Sequence, residues 1–286
     1  VRDDFAIFIL THGRPDRVLT LTALERAGYT GKVYLVVDDE DPTREEYQSK
    51  YGDKVLLFSK AEVAKTFDLA DNLHARKGVV VFARNACWVL ARQVGCEYFM
   101  EMDDDFDAFY YRFDSAHRYG SFRVRATMDR LLAALVDFFE RAPILTIALS
   151  QGGDHMGGDS NGDKQPRLRR KAMGSFLLSI DRPFTFAGRI NEDVNTYTNM
   201  GRQGCLFFML MSVMLNTKTT QQDAGGMTST YLDGGTYIKS FYSVMLCPSA
   251  VQIGALGDPR SPQYRIHHKI NWNNAAPKIL REEWKR

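Results

Sequence analysis

Nowhere in the 286 residues is there an apolar run long enough to cross a bilayer. The longest, from Cys205 to Leu215, falls well short of the ~20 residues a helix needs to span ~30 Å of hydrocarbon. Cysteine is scarce: Cys87, Cys96, Cys205 and Cys247 stand apart, without a Cys-x-x-Cys pair. That argues against a zinc site and for inert thiols in a reducing compartment. An excess of charge of one sign is missing too. With a formal net charge of +2 the chain is not a polycation, and any attraction to nucleic acid must come from a local patch. The start of the sequence carries Arg2, Asp3 and Asp4 rather than an apolar segment. A cytoplasmic protein without a membrane partner is therefore expected. Internal repeats, heptads and long linkers are absent as well. What remains, 44% hydrophobic and 25% charged residues, is an ordinary globular composition, and the length suffices for a large buried core.

The first third alternates strand and helix. Phe5–Leu10 and Val33–Val37 are continuous apolar runs rich in branched residues, suited to strands buried on both faces of a parallel sheet. Between them, Pro15–Ala27 has a proline near its start and a glycine just past its end, the punctuation of a helix. Val55–Phe58 reads as a third strand. Ala83–Val94 puts Ala83, Cys87, Leu90 and Val94 on one helical face, Gly95 ends it, and Tyr98–Met102 is the next strand. This β-α-β-α-β order predicts a doubly wound, Rossmann-like sheet with right-handed crossovers. Further on, Met128–Arg141 and Thr230–Met245 read as helices, and so does a segment starting near Glu192. Ile144–Leu149, Phe176–Ile180 and Leu206–Val213 read as strands. Residues 151–163, with five glycines among polar residues, mark a loop.

Chemistry gathers at a few points. Asp103, Asp104 and Asp105 follow directly on a buried strand, and in an open α/β sheet ligands bind beyond the carboxyl ends of strands. Two like charges 4 Å apart repel by about 4 kcal/mol at an effective dielectric of 20. A divalent cation with hard oxygen ligands removes that penalty and seats a diphosphate; a bare acidic triplet is otherwise a solvated turn. Glu192 and Asp193 stand at a helix start, where the dipole and free amides favour an ionised carboxylate, as a general base requires. They are equally suited to plain capping. His267 and His268 lie in a short alternating segment that would put them on opposite faces of a strand, so one of them at most should reach a metal. Imidazole beside carboxylate favours Mn²⁺ over Mg²⁺. Thr11, His12 and Arg14 close the first strand, Asp38 the second, and Arg84 and Asn85 open a helix. All are placed to meet a nucleotide, and each is as well suited to capping. Lys164, Arg167, Arg169, Arg170 and Lys171 form a cationic strip that is either a solvated face or a phosphate-binding surface for nucleic acid.

In their order along the chain these residues resemble the GT-A glycosyltransferases. The phrases ILTHGRPDR, VVDDEDP, FARNACWVLA, EMDDDF, GRINEDVNTY and RIHHKINW are similar to the TET/JBP-associated glycosyltransferases, a phage and kinetoplastid-type group acting on hydroxymethylated pyrimidines in DNA. The resemblance implies an α/β fold of GT-A type in one domain. A mainly parallel, doubly wound sheet over 1–105 would bind the nucleotide, and a smaller mixed sheet within 106–286 would take the acceptor. It implies a UDP-sugar donor and Mn²⁺ or Mg²⁺. Asp103 and Asp105 would hold the ion and the sugar nucleotide, with His267 or His268 as a further ligand; pattern alone does not decide which two of the three aspartates serve. Thr11, Arg14 and Asp38 would contact uridine, and Asp193 would be the base of an inverting transfer. Double-stranded DNA carrying hydroxymethylated bases such as 5-hydroxymethylcytosine would be the acceptor, in a bacteriophage-infected host. The rivals are a GT-A enzyme with a protein, lipid or glycan acceptor, a nucleotidyltransferase, and a DNA-binding module without catalysis.

Overall fold

The computed structural model describes residues 2–69, 80–155, 158, 169–217, 228–260 and 264–284, with the backbone alone for 228–236 and 284. Lys164, Arg167 and most of the glycine-rich stretch lie outside the described residues.

Strand β1 (Phe5–Leu10) is buried at every position, as expected for a central strand covered on both faces. Its side chains alternate between two cores. Phe5, Ile7 and Ile9 face one, and Ala6, Phe8 and Leu10 the other. Strand β2 (Lys32–Asp38) pairs in parallel on one side of β1, with β3 (Val55–Phe58) outside it, and β4 (Tyr98–Asp103) pairs in parallel on the other side. Leu10 stands opposite both Val36 and Asp103. The carboxyl ends of β1, β2 and β4 therefore open on one edge, which collects Thr11, Asp38 and Asp103.

Among the described residues this half also holds the helices α1 (Leu19–Ala27), α2 (Arg44–Tyr51), α3 (Lys60–Val63) and α4 (Val80–Gln93). Helix α1 begins later than the proline suggested, because Arg14–Arg17 form a turn closed by a 3.0 Å backbone hydrogen bond. Its end is as expected: Gly28 caps it with φ +80°, and a side chain there would collide with the Ala126 backbone.

The second half consists of β5 (Phe106–Phe113), β6 (Tyr119–Arg123), α5 (Met128–Arg141), β7 (Thr146–Gln151), β8 (Ser175–Ser179), α6 (Glu192–Arg202), β9 (Phe207–Thr217), α7 (Thr228–Leu246), β10 (Val251–Leu256), β11 (Arg265–Ile270) and α8 (Trp272–Ala275). Strands β5, β6 and β10 had no signature in the sequence, since each lacks the alternation of a half-buried strand. The nine-stranded sheet has the order β3-β2-β1-β4-β8-β7-β9-β5-β6. It turns from parallel to antiparallel where β8 meets β4. Strands β5 to β9 thus extend the same sheet, and the antiparallel pair β10–β11 stands apart. All four cysteines are buried and none is in a disulfide. Among the described residues no helix is long and apolar enough to cross a membrane.

Candidate active site

The turn after β4 is built so that its three aspartates diverge. Thr20, fully buried on α1, donates its hydroxyl to the Asp103 carbonyl (2.6 Å) and accepts the Phe106 N–H (3.1 Å), while its own N–H reaches the Asp104 carbonyl (3.2 Å). Asp104 turns inward and is 2% exposed. Its carboxylate accepts the Thr11 hydroxyl at 2.6 Å and an Arg14 N–H at 2.7 Å. That decides the triplet: Asp104 is taken up inside the protein, and Asp103 and Asp105 remain partly open. Burial, and then the charges of Asp103 and Asp104, push the Asp105 carboxyl up to about 7. Gly174 (φ +70°) lies against this turn, where a Cβ would come within 2.8 Å of the Gln151 amide and 3.4 Å of the Asp103 carboxylate.

Behind Asp103 lies a buried guanidinium. Arg84, 2% exposed on α4, meets Asp103 Oδ1 at 3.0 Å, Glu192 Oε1 at 3.0 Å and Glu101 Oε2 at 3.5 Å. It rests over the rings of Phe176 and Phe186. Burial works against its charge, but the three carboxylates outweigh burial and hold its pKa above the usual arginine value. Glu101 is fully buried, and burial pushes its carboxyl up to about 8. Arg84 and Asn85, at the start of a helix, are placed in sequence to meet a nucleotide. Instead Arg84 is engaged with carboxylates, and the Asn85 amide bonds both backbone groups of Phe186, at 3.0 and 2.8 Å. Glu192, 5% exposed, is the arginine's partner rather than a free base.

Asp193 is the half-buried member of its pair, less enclosed than Glu192. Asn191 precedes it in the left-handed region (φ 54°) and is tied by its side chain to the Lys239 carbonyl (2.7 Å) and the Ser243 hydroxyl (3.2 Å) of α7. The Asp193 carboxylate accepts the Val194 N–H at 2.7 Å. The helix terminus was expected to keep it fully ionised. Burial, followed by the adjacent Glu192 charge, outweighs that bond and the cations Arg84 and Lys171, and lifts the carboxyl to about 7.

The late histidines do not meet the aspartates. Lys171 donates to His267 Nε2 (3.2 Å) and His268 Nε2 (3.0 Å), and the two rings lie 4.1 Å apart. The expected separation onto opposite strand faces gives way because both imidazoles turn to one ammonium. Burial first and the Lys171 charge second push His267 down to about 4 and His268 to about 2, so both are neutral acceptors. His268 is 6% exposed and its Nδ1 is buried without a hydrogen bond. Burial lowers the Lys171 pKa against the pull of Asp193 and Asp154. Lys171 therefore belongs to the interior of the site and not to a surface strip. Arg170, with a side chain 14% exposed, pairs with Asp154 at 3.7 Å. Of the described cations of the strip, Arg169 is the exposed one.

At the end of β2, His12 Nδ1 meets Asp38 at 2.8 Å and Asp41 at 3.4 Å. The Asp38 bond raises the His12 pKa despite burial. Burial would raise the Asp38 carboxyl, but His12 and Lys60 together hold it below its usual value. Lys60, Asp41 and Tyr47 were missed by sequence reading. Asp41 accepts the Gly13 N–H at 2.8 Å, and the Tyr47 hydroxyl contacts Thr11 and the Arg14 N–H. Glu101 was missed as well, although a lone carboxylate inside the apolar strand YFMEMD was a visible signal.

Among the described residues no three His, Cys, Asp or Glu side chains converge as a ready ligand set. Asp103 and Asp105 nevertheless fit a hard divalent ion, because burial and then the charges of Asp103 and Asp104 raise the Asp105 carboxyl, and a cation would offset both.

A doubly wound sheet with carboxylates at its carboxyl edge is the arrangement of the GT-A class of α/β folds. The chain belongs to the TET-associated glycosyltransferase family, whose profile matches residues 5–226, and it is a glycosyltransferase. No relative is found among curated proteins. Solved structures resemble it distantly. Glucosyl-3-phosphoglycerate synthase from Mycobacterium tuberculosis, in complex with Mn²⁺, UDP and glucosyl-3-phosphoglycerate, is 11% identical, with a TM-score of 0.48 over 94% of this chain and 88% of that one. S. aureus TarS 1–349 with UDP-GlcNAc is 12% identical (TM-score 0.43, 76% of this chain), and this chain spans 60% of its length. The mannosyltransferase PcManGT from Pyrobaculum calidifontis, with GDP-Man and Mn²⁺, is 13% identical (TM-score 0.45), covering 78% of this chain and 59% of that one.

Proposed function

We propose that the protein transfers a sugar from a UDP-sugar to the hydroxyl of a hydroxymethylated pyrimidine in DNA, with inversion at the anomeric carbon. Membership of a family described as TET-associated supports the acceptor class. The observation that carries the site is the Arg84 bridge. One buried guanidinium ties Asp103, on the donor side, to Glu192, whose neighbour Asp193 carries the less enclosed carboxylate.

Asp103 and Asp105 would hold Mn²⁺ or Mg²⁺, which supplies charge neutralisation to a departing diphosphate. Thr11, Arg14, His12 and Asp38 line the edge that would take the uridine part. Asp193 takes the proton of the acceptor hydroxyl as that oxygen bonds to the anomeric carbon and the bond from carbon to UDP breaks. A carboxyl at about 7 suits this role, since it is substantially ionised at neutral pH yet basic enough to accept the proton. A hydroxymethylated base is stacked within duplex DNA, so it must be turned out before Asp193 can reach it.

Mass spectrometry of 5-hydroxymethylcytosine DNA after incubation with a panel of UDP-sugars and Mn²⁺ tests the reading. The expected result is a mass gain of one glycosyl unit together with release of UDP. No gain with any donor would remove the DNA acceptor, and release of pyrophosphate instead of UDP would make the protein a nucleotidyltransferase.

A further inference from the structure

Outside the acidic centre, the outer side of the β10–β11 pair holds a cavity of about 420 Å³. Two cations, Arg169 and Lys269, line it with the carboxamides of Gln252, Asn271 and Asn273 and with Trp272; among the described residues no acidic side chain does. Its floor is firm. Trp272 stacks on Tyr197 of α6 at 5.8 Å and 11°, and Asn271 accepts the Asn273 N–H at 3.1 Å while its own N–H bonds the Ala250 carbonyl at 2.7 Å.

The cavity is connected to the centre along the chain. Lys269 faces Gln252 across the hairpin, and the next pair on that face is His267 and Gly254. Gly254 brings no side chain, and the Lys269 side chain lies over it, with Cβ and Cδ 3.4 and 3.8 Å from where a Gly254 Cβ would stand. Two residues along an extended strand cover about 7 Å. Arg169 is likewise two residues from Lys171, the lysine that holds both histidines and feels the charge of Asp193. The two cations of the cavity thus lie one step outward, on two separate segments, from the Lys171 cluster beside the candidate base.

We infer that this cavity binds one nucleotide of the acceptor strand, flanking the base that reacts. The inference rests on the nucleic-acid acceptor proposed above and extends it. Arg169 and Lys269 supply paired charge for a phosphodiester. The carboxamides offer donors and acceptors to a base edge, and the indole offers an aromatic surface for stacking. The volume lies in the range of small-ligand pockets, about 300–1,000 Å³, so it admits a nucleotide unit.

The test is fluorescence anisotropy with a labelled single-stranded oligonucleotide that carries no hydroxymethyl group, titrated with wild type and with the double variant Arg169→Ala, Lys269→Ala over a range of salt. Donor and metal are omitted, so the assay reads the cavity and not the chemistry. The variant should bind roughly tenfold more weakly at low salt, and its slope of log K against log salt should be shallower by about 0.7, one single-strand phosphate contact. In turnover with a hydroxymethylated oligonucleotide the loss should fall on KM. Equal affinity and slope for the two proteins, or a loss confined to kcat, overturns the inference. If wild type binds the oligonucleotide through these residues but adds no sugar to any pyrimidine, the proposed reaction fails and the cavity stands. If wild type binds no oligonucleotide, both fail.

Discussion

Asp193 carries a carboxyl near 7, so about half of it is charged at neutral pH and the fraction grows in alkali. Transfer measured as UDP release should therefore rise as pH passes through 7 and level off above it. Asp193→Asn should lower kcat by about 10²–10⁴-fold, the usual worth of a positioned base, while UDP binding measured calorimetrically stays close to wild type. Retained turnover in the variant would move the base elsewhere. The aspartate triplet divides at the same scale. Asp105→Asn should weaken Mn²⁺ binding without lowering the melting temperature, because it removes a crowded charge. Asp104→Ala should instead destabilise the fold by about 2 kcal/mol, since Thr11 and Arg14 lose a charged hydrogen-bond partner. Thermal melts with and without Mn²⁺ separate the two roles. The acidic turn was legible from its position after an apolar strand. The inward turn of Asp104 was not, because the bonds that hold it come from residues about ninety positions away.

Elements meet through single residues whose importance no local pattern announces. Arg84 joins α4, β4 and α6 by bonding Glu101, Asp103 and Glu192. Arg84→Met would leave Asp103 and Glu192 without their cation and Glu101 without its donor, and should cost about 3–5 kcal/mol, the usual loss when one member of a buried ionic cluster is removed. Urea unfolding would measure it, and an unchanged midpoint would mean that the bridge carries no weight. Gly201 of α6 approaches α8 so closely that a side chain would meet the Ala275 carbonyl. Gly201→Ala should force the two helices apart at a cost of about 1–3 kcal/mol, read in the same way. Strands β1 and β2 were legible because burial on both faces demands an apolar run, and β4 because only Glu101 interrupts one. Strands β5 and β6, at the far edge of the sheet, are under no such demand. Charged and polar side chains interrupt them, and their pairing with β9 and with each other identifies them.

For the whole molecule, protonation and stability are linked through the buried site. Asp105 and Asp193 near 7 and Glu101 near 8 hold protons in the folded state that the unfolded chain gives up near 4. A carboxyl raised in this way contributes stability at low pH and loses it as pH rises through its folded value. His267 and His268, pushed down to about 4 and 2, act oppositely, but only below the unfolded histidine value near 6.5. His12, raised, adds to the decline above that point. The urea midpoint should therefore fall between about pH 6.5 and 8.5, and a flat or rising midpoint would contradict these shifts.

Composition and pattern by themselves determined the parallel half of the sheet, the helix ends at glycines and the edge where acidic side chains gather. Each follows from local physics: burial demands apolar runs, and a left-handed turn demands a residue without a side chain. Only the tertiary structure decided which carboxylates stay open and which are neutralised by Arg84 and Arg14. It also brought both late histidines onto Lys171 rather than onto the aspartates. Those outcomes depend on contacts between distant parts of the chain and on the cost of burying charge, and neither is written in any short stretch of sequence.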